Sequence, residues 1–303
     1  MKKKLFGLLI LLIGLMCGCN ESINGDGPET KSGKVTLSIT DAPFPSDKVE
    51  LVNVTIDMVR LKIAENEEVA DEGEEGSDDG SGFITLEVDK TFNLLELGNG
   101  ESEILGELEI PAGEYKEIRL HVVDAKIKLV DIVEEMDIKI PGGSSSGLKI
   151  KIKPSLIINE GEEYDVLLDF DVSRSFLVKG NPKKGEIKGF MFKPVIRATN
   201  MALAGSLLGT VTEDAEEEVL IKNARVYVVS PEDVTDTIAT GKTNRNGMYK
   251  IIGLPGGTYN VSCEKDGYEN ETGEEAIEIV VGEEVTKDFV LKKSEKEEVT
   301  EES

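Results

Sequence analysis

One histidine, three cysteines and sixty carboxylates make up most of the reactive inventory of this 303-residue chain. His121, in Arg119-Leu120-His121-Val122-Val123, is the single imidazole, so any Ser-His-Asp or Cys-His relay must be built on it. It alternates with Leu120 and Val122, which places it on the polar face of a strand, as an exposed or hydrogen-bonded residue and not a base. Cys263 ends the alternating run Thr258-Tyr259-Asn260-Val261-Ser262 and reads as a small packed side chain. Asp169 and Asp171 point to the face opposite Phe170 and Val172, and together with Asp41 they offer oxygen ligands of the kind a hard cation takes. The expectation for these three is nonetheless solvated or hydrogen-bonded carboxylates. A hydrolase working through paired carboxylates needs one acid of raised pKa beside a second, and abundance of acids does not make such a pair. No catalytic residue, cofactor or metal site is assigned on this reading.

The charge balance narrows the partners. Lys and Arg number 34 against 60 Asp and Glu, a net charge of −26. Removal of Lys2, Lys3 and Lys4 with a leader takes the remainder to about −29. Such a chain repels phosphate backbones and anionic head groups, which excludes a nucleic-acid role. With no tryptophan and 5% aromatic residues, it has few ring faces on which sugars could stack.

The positioning elements begin with an export signal: Met1-Lys2-Lys3-Lys4, an apolar run from Leu5 to Met16, then Cys17-Gly18-Cys19. The run is about 12 residues, short of the roughly 17–25 that a spanning helix needs. Residues 1–18 therefore read as a cleaved leader. The segment resembles the lipoprotein signal class, in which a small residue precedes the cysteine that receives a diacylglycerol. Gly18-Cys19 fits that rule, whereas Met16-Cys17 puts a bulky residue where a small one is wanted, so the resemblance implies lipidation at Cys19. Each buried CH₂ contributes about 0.8 kcal/mol, so two or three acyl chains hold a domain at a bilayer almost irreversibly. The expected location is extracytoplasmic, lipid-anchored to the cell envelope membrane. Beyond the leader only Cys19 and Cys263 remain, so no disulfide between free thiols within the chain is expected despite an export route that permits one.

Residues 19–32 have the polar, glycine-bearing composition of a tether. From Lys34 onward apolar residues alternate with polar ones. Val35, Leu37 and Ile39 do so, as do Val52, Val54, Ile56 and Met58, before the phase shifts to Val59, Leu61 and Ile63. The shift predicts a bulge that re-aims the strand. Further strands are predicted over 83–88, 118–129, 136–140, 148–152, 164–172 and 189–198, with turns at Pro111-Ala112-Gly113 and Pro141-Gly142-Gly143 and a short helical turn at 93–97. An acidic, glycine-rich insertion, 65–82, has no apolar periodicity; it reads as a solvated loop, because the calcium-loop pattern is not met. Residues 293–303 form a charged tail with a disordered composition.

Five segments carry a first resemblance: Leu37-Ser38-Ile39-Thr40-Asp41-Ala42-Pro43; Asn93-Leu94-Leu95-Glu96-Leu97; Ile110-Pro111-Ala112-Gly113-Glu114-Tyr115; Asp169-Phe170-Asp171-Val172-Ser173-Arg174-Ser175; and Phe192-Lys193-Pro194-Val195-Ile196-Arg197. In this order they resemble the domain-of-unknown-function family 4382 of prokaryotic lipoproteins, over residues 33–200. The resemblance implies a β-rich exported domain and supplies no activity; the phase shift and the short strands point to a sandwich or barrel. A second set, Gly205 to Thr212, Asn223 to Val228, Ala239 to Ile251, Gly253 to Val261 and Gly267-Tyr268, resembles the carboxypeptidase regulatory-like (transthyretin-like) domain over 205–292. That resemblance implies a seven-stranded sandwich without a peptidase centre. Asn246-Gly247 suits the tight hairpin such a fold needs, and Tyr249 and Tyr259 read as core anchors.

The expectation is thus an all-β, two-domain, non-catalytic surface protein with a binding or display role. Its partners would be the membrane, through the lipid anchor, and a cell-surface polysaccharide or protein. A carbohydrate-binding protein and a carboxylate hydrolase are the alternatives.

Overall fold

The computed structural model describes residues 31–42, 49–64, 82–130, 134–142, 146–181, 186–233, 235–272 and 276–294. The leader, Cys19, nearly all of the tether, most of the 65–82 insertion and the tail beyond Ser294 lie outside the described residues.

The alternating segments form strands, and their pairing builds a curled sheet. The first five are β1 (Ser32–Ala42), β2 (Val49–Ile63), β3 (Phe83–Asn93), β4 (Glu103–Pro111) and β5 (Gly113–Leu129). There follow the two-residue β6 (Met136–Asp137), β7 (Leu148–Ile158), β8 (Glu163–Asp171), the single-turn α1 (Val172–Ser175), a separate hairpin of β9 (Phe176–Asn181) and β10 (Glu186–Phe192), and β11 (Ile196–Asn200). The sheet runs β3-β2-β5-β7-β11-β8-β1-β4, with β6 beside β5. Its two edges approach each other. Gly106 on β4 leaves room for Leu86 of β3, since a Cβ there would lie 3.0 Å from Leu86 Cδ2, and Lys90 pairs with Glu103 across the gap. The result is a nearly closed barrel filled by Leu37, Ile39, Ile56, Leu61, Ile110, Tyr115 and Phe170, all fully buried.

The predicted phase shift in β2 is a register slip between Ile56 and Met58 against both β3 and β5. The 93–97 segment does form a 3-10 turn at Leu94–Glu96. Two predicted strands differ. Residues 136–140 pair only at Met136–Asp137 plus a bridge at Lys139, and 189–198 is broken at 193–195, where Pro194 has no N–H to give a ladder.

A second core follows, built on β12 (Ala204–Glu213), β13 (Arg225–Val229), β14 (Thr237–Lys242), β15 (Met248–Pro255), β16 (Gly257–Glu264), β17 (Glu271–Thr272), β18 (Ile277–Ile279), β19 (Glu284–Thr286) and β20 (Phe289–Leu291). One sheet is β15-β12 with β19 and β20 along the same edge of β12; the other is β14-β13-β16 with β17 and β18 along β16. Two edge strands are each interrupted, so nine segments trace a seven-stranded sandwich. The β19–β20 interruption falls beside Gly209, where the Lys287 carbonyl crosses so closely that a Cβ would lie 1.8 Å from it. Tyr249 is buried, its ring centroid 6.3 Å from that of Phe289, and Cys263 is buried in the same core. Tyr259 is only partly buried.

One local device recurs in both cores. In Pro111-Ala112-Gly113-Glu114-Tyr115 and in Pro255-Gly256-Gly257-Thr258-Tyr259 a hairpin turns at the glycine, and the tyrosine hydroxyl donates back to the proline carbonyl at 2.9 Å. The spacing Pro-x-Gly-x-Tyr thus pins each turn without a long-range partner.

Candidate functional site at the junction of barrel and sandwich

Four of the five N-terminal segments singled out above meet at one end of the barrel. Asp41, at the end of β1, accepts a hydrogen bond from the Val172 backbone at 3.2 Å, and its own N–H donates to the Leu97 carbonyl at 3.1 Å. The buried Thr40 hydroxyl lies 3.0 Å from the Leu97 carbonyl oxygen and 2.6 Å from that of Glu101. Asp171 caps α1 by accepting from the Arg174 N–H at 3.0 Å, while its backbone N–H donates to the Val195 carbonyl. Ser175, fully buried, accepts from the Val195 N–H at 2.9 Å. Only the Pro111-Tyr115 turn lies elsewhere, beside Lys31 and Ile158 at the start of β1.

The product of this interlock is a pair of aimed arginines. Arg174 Nε lies 2.6 Å from Asp171 Oδ2, and Arg197 Nη2 lies 2.7 Å from Asp169 Oδ2. Each guanidinium then crosses to the sandwich: Arg174 Nη1 donates to the Thr237 carbonyl at 2.9 Å and Arg197 Nη1 to the Ile238 carbonyl at 2.6 Å. Ile238 is the extra residue where β14 slips register against β13, and β14 is an edge strand. The arginines therefore cap carbonyls that a sheet edge leaves without a ladder partner. Two further contacts flank them. Asn99, in the left-handed conformation at φ 62°, accepts from the Lys250 N–H at 2.8 Å, and Leu167 of β8 lies against Gly253, where a Cβ would be 2.8 Å from its Cδ2.

The geometry separates the three aspartates and corrects one expectation, that for His121. Asp41 does not join Asp169 and Asp171 around a common point. In the parallel β1–β8 pairing it stands opposite Phe170, on the core face, while Thr40 and Ala42 stand opposite the two other aspartates. Among the described residues no group of three or more potential ligands is placed to hold a metal ion. His121 is not on an exposed face: it is 6% exposed, because Gly147, at φ 72°, lets the loop before β7 pack against the ring. Its Nε2 has no hydrogen-bond partner among the described residues.

The chemistry open to this cluster is limited by its pairing. Desolvation pushes the Asp169 carboxyl up and Arg197 pulls it down, with Asp171 adding to the upward push. Two close carboxylates in unlike settings resemble an acid–base pair. Here both are held by guanidiniums that are themselves spent on the sandwich. Cys263 is pushed up to about 12 by burial, which leaves it a thiol and a poor nucleophile.

Family comparisons agree with the two-part reading. The model of the domain of unknown function DUF4382 matches residues 32–194, and that of the carboxypeptidase regulatory-like domain matches 206–292. No curated protein matches the chain. Similar solved structures include the Bacillus anthracis TIE protein (16% identity, 86% of this chain and 34% of that one, TM-score 0.27). The minor pilin of Streptococcus agalactiae (14% identity, 87% and 98%, TM-score 0.26) and the shaft pilin of Lactobacillus rhamnosus GG (10% identity, 88% and 98%, TM-score 0.27) are also similar. This chain spans about a third of the Bacillus anthracis protein. The first family match covers more than half of the chain and contains Asp41, Asp169, Asp171 and Arg174 of the junction, and by that match the chain belongs to the DUF4382 family.

Proposed function

We propose that this protein is a non-catalytic, lipid-anchored component of the cell surface, held through Cys19, in which barrel and sandwich form one rigid unit for binding or display. The observation that carries the reading is the junction. The most polar family segments, which would be the natural material of a catalytic centre, are used to lock Arg174 and Arg197 onto carbonyls of the sandwich. A rigid pair of β-domains on a short tether suits presentation of a surface away from a bilayer, and the carbohydrate-binding and hydrolase alternatives have no comparable support in the geometry.

The test is intact-mass and lipid analysis of full-length protein isolated from a membrane of a host that processes lipoproteins. Acyl-glyceryl modification on Cys19, with a Cys19→Ser variant released to the soluble fraction, is the expected result. An unmodified chain, or one cut elsewhere, overturns the anchor and with it the surface assignment.

A further inference from the structure

One end of the sandwich carries an exposed apolar knob. Leu203, Val280 and Val281 are 44%, 40% and 47% exposed. They belong to a group of three segments, 201–203, 255–257 and 280–282, that holds no charged residue in a chain that is 31% charged. Backbone bonds tie the segments together: the Gly256 N–H donates to the Leu203 carbonyl at 3.1 Å, and the Gly282 N–H to the Ala204 carbonyl at 2.9 Å. A Cβ on Gly256 would lie 2.6 Å from Val281 Cγ2, so the valine rests on that turn. Leu203 and Val281 also border a hollow of about 250 Å³ that Lys153 and Pro154 of β7 line from the barrel side, and none of its described lining residues is acidic. The other end of β12 is the reverse, with Glu213, Asp214, Glu216, Glu217 and Glu218 in close succession. Clustered aliphatic side chains beside a lysine, with a block of acids at the far end, suit contact with a bilayer interface.

A second observation is where the chain enters the barrel. β8 runs parallel to β1 with Glu163 beside Lys34, and β11 runs back along β8 until Asn200 stands opposite Val166, so β11 delivers Leu203 at the end where β1 begins. β7 runs parallel to β11 and ends there too: the Asn159 carbonyl lies against Gly33, where a Cβ would be 2.7 Å away, and Glu160 pairs with Lys31 at 3.1 Å. From Lys153 to Asn159 is about 20 Å of strand. Cys19 precedes Lys31 by 12 residues, and a chain of that length reaches at most about 40 Å. An anchor at Cys19 therefore keeps the knob near the membrane, and contacts too weak to recruit a free protein then suffice to orient a tethered one.

We propose that the knob of Leu203, Val280 and Val281 docks into the interface of the bilayer that carries the anchor, with Lys153 beside the lipid phosphates, and so turns the acidic end of β12 outward. The inference deepens the surface assignment and rests on the anchor at Cys19. Three aliphatic side chains are too few to hold a protein at a membrane by themselves, so the anchor supplies proximity and the knob supplies orientation. Glu278 and Glu283 flank the knob and are exposed, which suits zwitterionic head groups over anionic ones. A second copy is a poorer occupant, since each chain brings a net charge of −26 to the contact.

The chain has no tryptophan, so single Leu203→Trp and Val280→Trp variants report on the knob. Val290→Trp is the control, because Val290 is 53% exposed and pairs with Thr212 toward the other end of β12. All three positions are exposed, and each variant should keep the wild-type circular dichroism. The full-length protein, made in a host that processes lipoproteins, is reconstituted into phosphatidylcholine vesicles that contain a lipid brominated on its acyl chain. Expected are a blue shift and loss of most of the emission for Leu203→Trp and Val280→Trp, with Val290→Trp unchanged. Adding Val281→Glu to Leu203→Trp should restore the emission while the protein still floats with the vesicles. The proposal fails if the knob tryptophans are quenched no more than the control, or if Val281→Glu leaves the quenching intact. A blue shift without quenching, together with a dimer in sedimentation, would make a second copy the occupant and overturn it as well. Protein that does not float at all refutes the anchor and the docking with it, whereas flotation without quenching refutes the docking alone.

Discussion

Asp169 and Arg197 stand opposite each other on the antiparallel strands β8 and β11, 2.7 Å apart, and the same guanidinium reaches 2.6 Å to the Ile238 carbonyl of the sandwich. One side chain thus closes a largely buried ion pair and the junction. Removing the arginine leaves a desolvated carboxylate without its counter-charge, which typically costs about 3 kcal/mol. Arg197→Ala is expected to lower stability by that order in urea unfolding and to split barrel and sandwich into separate transitions. Asp171 is at least as buried as Asp169, but after Arg174→Ala it keeps the hydrogen bond from the residue-174 backbone N–H, and Arg174 itself is more exposed, so that variant should cost less, about 1–2 kcal/mol. An apolar exchange of both partners, Asp169→Leu with Arg197→Met, should recover most of the stability. Equal effects of the two arginine variants would show that the backbone bond to Asp171 does not stand in for the lost guanidinium.

Much of the barrel was legible because it is local. The alternation of β1, the phase slip at Met58 and the turn at Pro111 are written within a few residues of where they act. The junction was not, for two reasons. Asp41 faces the core and Asp169 the sandwich only because β1 and β8 pair in parallel at a given register, more than a hundred residues apart, and no local period encodes that. The burial of His121 depends likewise on Gly147, a neighbour in space across β5–β7. A signal was present in the Asp-Phe-Asp-Val-Ser-Arg-Ser run, where two acids precede an arginine at capping distance; what it caps, and whom the arginine meets, needed the fold.

Gly209 offers a test of the interrupted sandwich edge. Its position is steric and owes nothing to an unusual φ: the Lys287 carbonyl that would sit 1.8 Å from a Cβ also accepts the Tyr249 hydroxyl at 2.6 Å. That oxygen cannot retreat without breaking the buried tyrosine's hydrogen bond. Gly209→Ala should therefore destabilise by about 2–3 kcal/mol or more, with the loss reported by hydrogen exchange at β12 and β20 before the barrel. A variant within a few tenths of wild type would mean that β19 and β20 can slide past β12.

Cys263 gives a readout of sandwich integrity that needs no substitution. It is 1% exposed, and burial lifts its thiol to about 12. Iodoacetamide at pH 8 should leave it unlabelled in the folded protein and label it fully in denaturant, so that labelling rate follows opening of the sandwich. In the Arg197→Ala variant the rate should rise with the loss of the junction. Rapid labelling of the native wild type would contradict the packing described.

Two buried tyrosines and one half-buried one set an alkaline limit to stability. Desolvation pushes Tyr115 up to about 12; Tyr227 is also pushed up to about 12, by desolvation and then by its bond to Glu264, and burial raises Tyr249 as well. Each is held neutral in the fold but ionises near pH 10 once unfolded. A raised folded value means that the unfolded chain loses its proton first. The stabilisation is therefore complete below pH 10 and disappears as pH rises from about 10 to about 12. Urea midpoints should be flat from pH 7 to 9.5 and fall steeply above pH 10. Tyr115→Phe loses the bond to Pro111 at every pH, but it also removes one ionisable group, so its midpoint should fall less steeply than that of the wild type. Parallel slopes for the two proteins would place the alkaline transition on other groups and refute the role given to Tyr115.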